Sequence, residues 1–599
     1  MKFIKKPQAI VFAIIYLFVI LYPAQLSCEE KVSDIFHDFF QKFIDFYPEW
    51  GVEIGITKEM GYDVRRDALN DVSYGTALKE IEMYEDILAR LERMDSSKIT
   101  SSEKNDRDVL KWYLEIMIEK KEFLNHDYLL SHMFDVPLQT VTGLVEYHQI
   151  SSKKDAEDYL RKLSLIDSKM KTLEERIQMQ EKEGIIPPKC IFERIDKTIQ
   201  NQIPDTLKKS ELYVSFKRKL DSSVLSDKEK KNFLSKAEKI LKEEFYPAMK
   251  EYRSFVTEIA KKADNNAGVW KLNDGVKFYE WCLKYHTTTD MTAAEIHEKG
   301  MSEVKRIQSE IMRLYVTLGV DTVKGYGDAT EIYWKMTEDS ASQWDMFYED
   351  SDKGREEVIR DYNKIIEEVY PVLNAVFSEL PESKVKVEKN PDYKSASAGA
   401  YYIWADLQKT RPGIFYINLS WLPDKPSMQT LTYHETVPGH HLQIALQQED
   451  GEMHIMRNAI FCTSYIEGWA LYAEQLADET NLFTNVHSKI SYLQSELFRA
   501  ARLVLDTGIH AMKWTREEAA LYMKKNLGWA GYGEIDRYIV WPGQACAYKI
   551  GELKLVELRE MMKERMKKDF DIRDFHDIVL KSGPVPLNML EERIKEEIK

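Results

Sequence analysis

The sequence predicts a mainly α protein, a large two-lobed helical body with a small β-hairpin or edge sheet. Three observations lead there. Glycine (25) and proline (18) are sparse among 599 residues while helix formers abound, so few breakers interrupt the chain. Between Ala156 and Met179 apolar residues recur at spacings of three and four, the signature of one helix face. Strand signal, in contrast, is confined to a short stretch before residue 420. A composition of 44% hydrophobic and 31% charged residues excludes wholesale disorder. The formal charge of −16 argues against nucleic acid as a partner, because phosphate binding needs a net basic surface.

At the N-terminus Lys2, Lys5 and Lys6 precede an apolar run from Ala9 to Tyr22, closed by Pro23. This is the charged region and short apolar core of a secretory signal, too short for a comfortable membrane span. Residues 1–28 are therefore read as a signal peptide, and the protein as exported to a periplasmic, cell-envelope or extracellular location. An uncleaved or lipidated N-terminus would attach it to a membrane. Cys28 is the lipidation candidate, although Gln25 occupies the position where a lipobox prefers Leu. Cys190, Cys282, Cys462 and Cys546 lack any C-x-x-C spacing, which excludes a zinc-finger pattern and a dense disulfide framework and leaves a single bridging pair open.

Next comes the 156–179 helix, with Leu160, Leu163, Ile166, Met170, Leu173 and Ile177 on one face and Gly184, Pro187 and Pro188 as its stop. Ser226-x-x-Glu229, Thr292-x-x-Glu295 and Thr515-x-x-Glu518 are capping boxes and announce three further helices. The polar run from Lys261 to Asn266 marks a soft division, giving an N-terminal helical lobe over 29–265 and a C-terminal lobe over 266–599 that holds most of the histidines. Val385 and Val387 alternate with Lys, and Ala400–Trp404 and Ile414–Leu419 flank a turn at Arg411-Pro412-Gly413, so these segments form the hairpin or edge ladder.

The chemistry concentrates at Tyr433-His434-Glu435-Thr436-Val437-Pro438-Gly439-His440-His441. His-Glu followed shortly by another His is the core of metalloprotease helices, in which two imidazoles bind zinc and the Glu activates water. The spacing is irregular: Pro438 sits where the second ligand belongs. On an ideal helix His440 would lie ~240° around from His434, and His441 ~10 Å along the axis. A shared metal therefore requires a bulge or kink at Pro438-Gly439, a pair suited to break a helix. Glu435 projects ~100° around from His434, a direction suited to a general base beside the metal. Glu467 is the third-ligand candidate, and Glu474, seven residues on, shares its helix face and can orient a ligating His from behind. Two His and one carboxylate leave an open position on zinc, as catalysis requires.

The strings Gly268-Val269-Trp270, His286-Thr287-Thr288-Thr289-Asp290, Leu431 through Gln443, Glu467 through Tyr472, Arg502 through His510 and Pro542-Gly543-Gln544-Ala545 resemble the domain-of-unknown-function 885 family over about Ile35 to Ile594. That family is placed among zincin-like metallopeptidases. It is similar, more distantly, to helical zinc peptidases of the thimet oligopeptidase, angiotensin-converting enzyme and carboxypeptidase Taq types, which carry His-Glu-x-Gly-His. The resemblance implies a zincin-like catalytic lobe with the small sheet beside its cleft. It also implies Zn2+ held by His434, His440 and Glu467, with His441 and Glu474 as supporting residues. Tyr548 resembles the Tyr that such enzymes aim at the developing oxyanion; a packed core Tyr is the alternative.

Arg502 and His510 lie within ~80° of one helix face and are candidates for binding the oxyanion or a substrate carboxylate. An Arg502–Asp506 pair is the structural alternative. Tyr401, Tyr402 and Asn418 sit on the expected strands, where a peptide backbone could pair with the edge. His286 and His297 read as ordinary core or surface histidines, and Gly528-x-x-Gly531-x-Gly533 follows no strand and is no nucleotide loop. The leading expectation is zinc-dependent hydrolysis of peptide bonds in short peptides. The alternatives are a catalytically silent exported binding protein on the same scaffold and a zinc amidase acting on a non-peptide substrate.

Overall fold

A computed structural model describes residues 30–340, 345–391 and 399–598. The expected signal segment and Cys28 lie outside the described residues. The helices that build or support the candidate site begin with α1 (Val32–Phe46), α2 (Tyr74–Glu92), α3 (Ser101–Glu119), α4 (Lys153–Lys182), α5 (Gly275–Thr287), α6 (Ala293–Thr317) and α7 (Asp352–Val376). A small sheet follows, made of β1 (Val385–Lys389), β2 (Tyr401–Ile403) and β3 (Gly413–Ile417). Beyond it run α8 (Lys425–Glu435), α9 (His440–Glu449), α10 (Thr463–Glu479), α11 (Val486–His510), α12 (Arg516–Leu527), α13 (Tyr532–Val540), α14 (Gln544–Met566), α15 (Ile572–Ser582) and α16 (Leu587–Glu597). The architecture is mainly helical, as expected.

Local signals explain where helices begin and end. In α4 the six apolar residues of the predicted face are all buried, and Gly184 at φ 78° takes the chain out of the helix. All three expected capping boxes form, the hydroxyl of Ser226, Thr292 or Thr515 accepting from the N–H of the Glu three residues on. Two more occur at Thr100/Glu103 and Ser152/Asp155.

The sheet has the order β1-β3-β2. β2 pairs antiparallel with β3, as the expected hairpin requires, and β1 adds in parallel on the opposite edge of β3. Ile414, Phe415 and Ile417 of the central strand are buried, which suits a strand flanked on both sides.

The apolar core does not divide at residue 265. One core joins residues 32–114 to 358–477 and 555–594; the other joins 116–333 to 490–550 and Leu587. Each lobe is thus discontinuous, and the chain passes between them several times. The polar run at 261–266 is a surface turn, since polarity there reports solvent contact and carries no information about partners distant in sequence. α14 belongs to both cores, with Cys546 and Ile550 in one and Leu555, Leu558 and Met562 in the other.

Close helix contacts are made where side chains vanish. Gly468 of α10 faces Gly551 of α14, and a Cβ on Gly468 would fall 2.5 Å from the Gly551 carbonyl carbon. Gly300 of α6 lets that helix lie against Leu503 and Val504 of α11. Cys190, Cys282, Cys462 and Cys546 are unpaired thiols, so no bridge forms among the described residues. No helix among the described residues is long and apolar enough to cross a membrane.

Candidate metal centre

Helix α8 starts on an Asp424 cap and ends at Glu435, where its sequence meets Pro438. Over 436–439 the chain folds back on the end of α8 and then opens α9 at His440. The Val437–Pro438 peptide is cis. Gly439 is pressed so closely on this turn that a Cβ would lie 2.0 Å from the His434 carbonyl oxygen. Trp469 of α10 donates its indole N–H to the Pro438 carbonyl at 2.9 Å and fixes the break in place. The result is the interruption that the irregular spacing demands. His434 and His440 face each other with ring centroids 4.9 Å apart.

Glu467 of α10 completes the group. Its Oε2 lies 3.6 Å from His434 Nε2 and 3.4 Å from His440 Nε2, and one ligating atom from each residue falls within 4.8 Å of the others. These separations exceed those of good N–H···O hydrogen bonds. They match the edge of a tetrahedron, ~3.3 Å when drawn for metal–ligand bonds of about 2.0–2.1 Å. The Glu467 Oε2 is buried without a hydrogen-bond partner, an orphaned acceptor that a cation would satisfy. His434 Nδ1 donates to Glu474 Oε1 at 2.8 Å, which directs Nε2 towards Glu467, where a cation would take the place of its proton. Glu474 is fully buried and also accepts from Ser495 Oγ at 3.0 Å.

The electrostatics match this donor set. Burial opposes charge on His434, yet Glu467 and Glu474 outweigh it and raise the imidazole to about 10. Burial also opposes charge on Glu467, but His434 and His440 hold it well below the usual carboxylate range. The cluster therefore gathers positive charge even as a bare protein, and a divalent cation supplies that charge more fully than one proton. Burial raises Glu435, which makes it a better proton acceptor than a solvated carboxylate.

His441 does not support the ligands as expected. Its Nδ1 contacts the Tyr402 hydroxyl and its Nε2 the Ser383 carbonyl, both at 2.9 Å, so it ties α9 to the sheet. The one-residue step from His440 turns it ~100° to another face of α9.

The His434–His440–Glu467 cluster opens into a cavity of about 940 Å³. Tyr401 and Tyr402 of β2 line it, as do the half-exposed indoles of Trp421 and Trp529. Tyr548, Arg502 and Arg537 form the wall contributed by α14, α11 and α13. The Gly468–Gly551 contact sets this wall beside the ligands, because Glu467 precedes Gly468 and Tyr548 lies one turn before Gly551. The Tyr548 hydroxyl accepts from Arg537 Nη2 at 3.1 Å, which leaves its own proton available to the cavity. Asn418 Oδ1 caps the turn after β3 by accepting the Ser420 N–H.

Two expectations fail here. His510 is buried outside the cavity lining, its Nδ1 accepting from the Val269 N–H and its Nε2 donating to the Tyr538 carbonyl. Burial lowers it to about 4, so it is a neutral bracket between helices and not a ligand for substrate. Arg502 pairs with Glu534 at 3.0 Å and leaves Asp506 alone. Asp506 instead accepts from the Tyr279 hydroxyl and the Gly543 N–H, and burial pushes it up to about 7. Arg502 and Asp506 share a helix face by spacing, but the Arg502 side chain lies against Phe498 of its own helix and Tyr548 of α14 and reaches Glu534 of α13. His286 and His297 are buried histidines contacting Thr463 and Thr507, as expected of core residues. Sequence reasoning missed Arg537, Glu534 and Arg499, which carry no motif. The Arg502–Arg537 pairing with one acid appears only when α11 and α13 are docked.

Two solved structures share the fold. A "putative lipoprotein" from Colwellia psychrerythraea aligns with a TM-score of 0.89 and 27% identity over 96% of this chain and 99% of its own. A "putative lipoprotein of unknown function" from Shewanella oneidensis aligns with a TM-score of 0.70 and 18% identity over 94% of this chain and 99% of its own. No curated protein matches the chain. The sequence profile described as "Bacterial protein of unknown function (DUF885)" matches residues 48–594, nearly the whole chain, and the protein belongs to that family.

Proposed function

We propose that this protein is an exported, zincin-like metallopeptidase that hydrolyses short peptides at a zinc site formed by His434, His440 and Glu467. One observation carries the reading: two imidazole nitrogens and an unpartnered carboxylate oxygen converge within 4.8 Å, both His–Glu separations near a tetrahedral edge, with a buried Glu435 beside them. When bound, zinc supplies Lewis acidity towards a carbonyl oxygen and towards water. Glu435 takes a proton from the attacking water on its carboxylate and delivers it to the nitrogen of the departing amine. The Tyr548 O–H donates to the oxygen that gains negative charge as the carbonyl becomes tetrahedral. Glu474 keeps His434 in the tautomer whose Nε2 is free to ligate. The edge strand β2 gives an extended peptide a backbone to pair with. Export is supported by the charged and apolar segments of residues 1–28 and by the lipoprotein description of both solved relatives.

The test is metal analysis with mass spectrometry of peptide-library cleavage, on wild type and Glu435→Gln. Zinc is expected in both, with turnover lowered on the order of 10²-fold or more in the variant. Hydrolysis that survives in metal-replete Glu435→Gln refutes the role of Glu435. A library left intact by metal-replete wild type refutes the peptidase reading.

A further inference from the structure

The geometry points to a carboxylate-binding subsite at Arg502 and Arg537, on the cavity wall beside Tyr548, that selects peptides carrying a free carboxylate, in the first place the C-terminal one. This deepens the peptidase reading and rests on it for the identity of the substrate.

Charge is the first observation. The protein is acidic overall, at −16, yet the cavity lining carries five Lys or Arg side chains against three carboxylates; of the five, Arg194 is paired with Asp536 and Arg499 lies 3.9 Å from Glu474 behind the wall. Arg502 and Arg537 share a single acidic partner, Glu534, at 3.0 and 3.8 Å. Glu534 also accepts from the Tyr538 hydroxyl at 3.1 Å, which occupies it further. Two guanidinium groups facing one carboxylate leave one positive charge uncompensated. Removing such a charge from water is costly unless an anion joins it.

Preorganisation is the second. The Arg502 guanidinium lies between the rings of Phe498 and Tyr548, 4.4 and 4.6 Å from their centroids, and Arg537 lies 5.6 Å from that of Trp541. Stacking restrains the planes; Arg502 Nη2 donates to Glu534 at 3.0 Å, and Arg537 Nη2 to Gln544 Oε1 at 2.8 Å and the Tyr548 hydroxyl at 3.1 Å. The Nε of each is buried without a hydrogen-bond partner. A planar monoanion meets both needs: it matches the surplus of one charge and accepts two parallel N–H bonds from a guanidinium edge. The C-terminal carboxylate of a peptide and an acidic side chain share this chemistry.

The experiment uses the full chain, metal-replete, with Glu435→Gln to prevent turnover. Binding of tetra-alanine as free acid, of its C-terminal amide, and of the amide with one Glu in place of Ala is measured by calorimetry. The free acid is expected to bind at least ~10-fold more tightly than the plain amide, and Arg502→Gln or Arg537→Gln to erase the difference. Recovery of affinity by the Glu-bearing amide alone keeps the subsite and assigns it to an acidic side chain. Equal behaviour of all three peptides, absence of binding included, overturns the subsite whether or not the variants fold. The same peptides given to metal-loaded protein with Glu435 intact separate the two readings. Cleavage indifferent to the carboxylate leaves the peptidase standing without the subsite. Carboxylate-dependent binding without cleavage leaves the subsite standing without the peptidase.

Discussion

Replacing Glu474 by Gln tests whether the centre is assembled from behind as well as from its ligands. Glu474 lies outside the three convergent donors and accepts the Nδ1–H of His434 at 2.8 Å. Gln keeps the shape and one acceptor oxygen and removes the charge. A hydrogen bond to a charged group contributes ~1.5–3 kcal/mol net, against ~1 kcal/mol for a neutral pair. That difference of ~0.5–2 kcal/mol is about 2- to 30-fold by itself, and a less basic Nε2 adds to it, so zinc affinity should weaken roughly 10- to 100-fold, the range found when partners of metal-bound histidines are removed. Chelator competition at equilibrium measures it directly. His441→Ala serves as the comparison: both nitrogens of His441 are engaged at the sheet, so the protein should unfold more readily while binding zinc as before. Zinc affinity within about twofold of wild type in Glu474→Gln, or a larger loss in His441→Ala, would refute the argument.

Two further perturbations probe the frame. A methyl group added by Gly551→Ala would sit 1.9 Å from the Ser464 carbonyl oxygen, and this overpacking should cost ~1–3 kcal/mol, above the ~1 kcal/mol gain in helix propensity. Calorimetry should show a lower midpoint with weakened zinc binding, because α10 and α14 carry Glu467 and Tyr548; an unchanged midpoint would contradict the close contact. His510, lowered to about 4 by burial from an ordinary 6.5, makes the fold acid-sensitive. Between those values the unfolded chain binds a proton that the folded one refuses, so its stability contribution is lost as pH falls, with a slope approaching ~1.4 kcal/mol per pH unit. His510→Gln should therefore lose less in melting temperature than wild type on acidification from about pH 7 to about pH 5; an equal loss would place the titration elsewhere.

What is legible in the sequence is local. The face of α4 and the capping boxes follow from spacing within a few residues, and β2 with β3 from two apolar runs across a turn. The break at Pro438 is legible because a shared site forbids a straight helix there. The pairing of His434 with Glu474 is suggested by the seven-residue step from Glu467. The interleaved cores are not legible, since periodicity says that a face is buried and leaves open against what. Nor is β1 beside β3, a parallel pairing that no turn announces. His510 and Arg502 show the same limit within one helix. Both point inward, but His510 is captured by the Val269 N–H and Tyr538 carbonyl and Arg502 by Phe498 of its own helix, Tyr548 and Glu534, most of them supplied by segments distant in sequence.

The interleaving of the cores also orders events in time. A ribosome releases α1, α2 and α3 first, with apolar faces that bury against segments after residue 358. α1 packs on α2 and α2 on α3, so these faces are partly covered early, and the rest of their native cover comes only with the segments after residue 358. His434, His440 and Glu467 stand on elements of one core and the arginine wall on elements of the other, bridged by α14. The cavity therefore needs both cores in place, and any product that stops short of α14 lacks it.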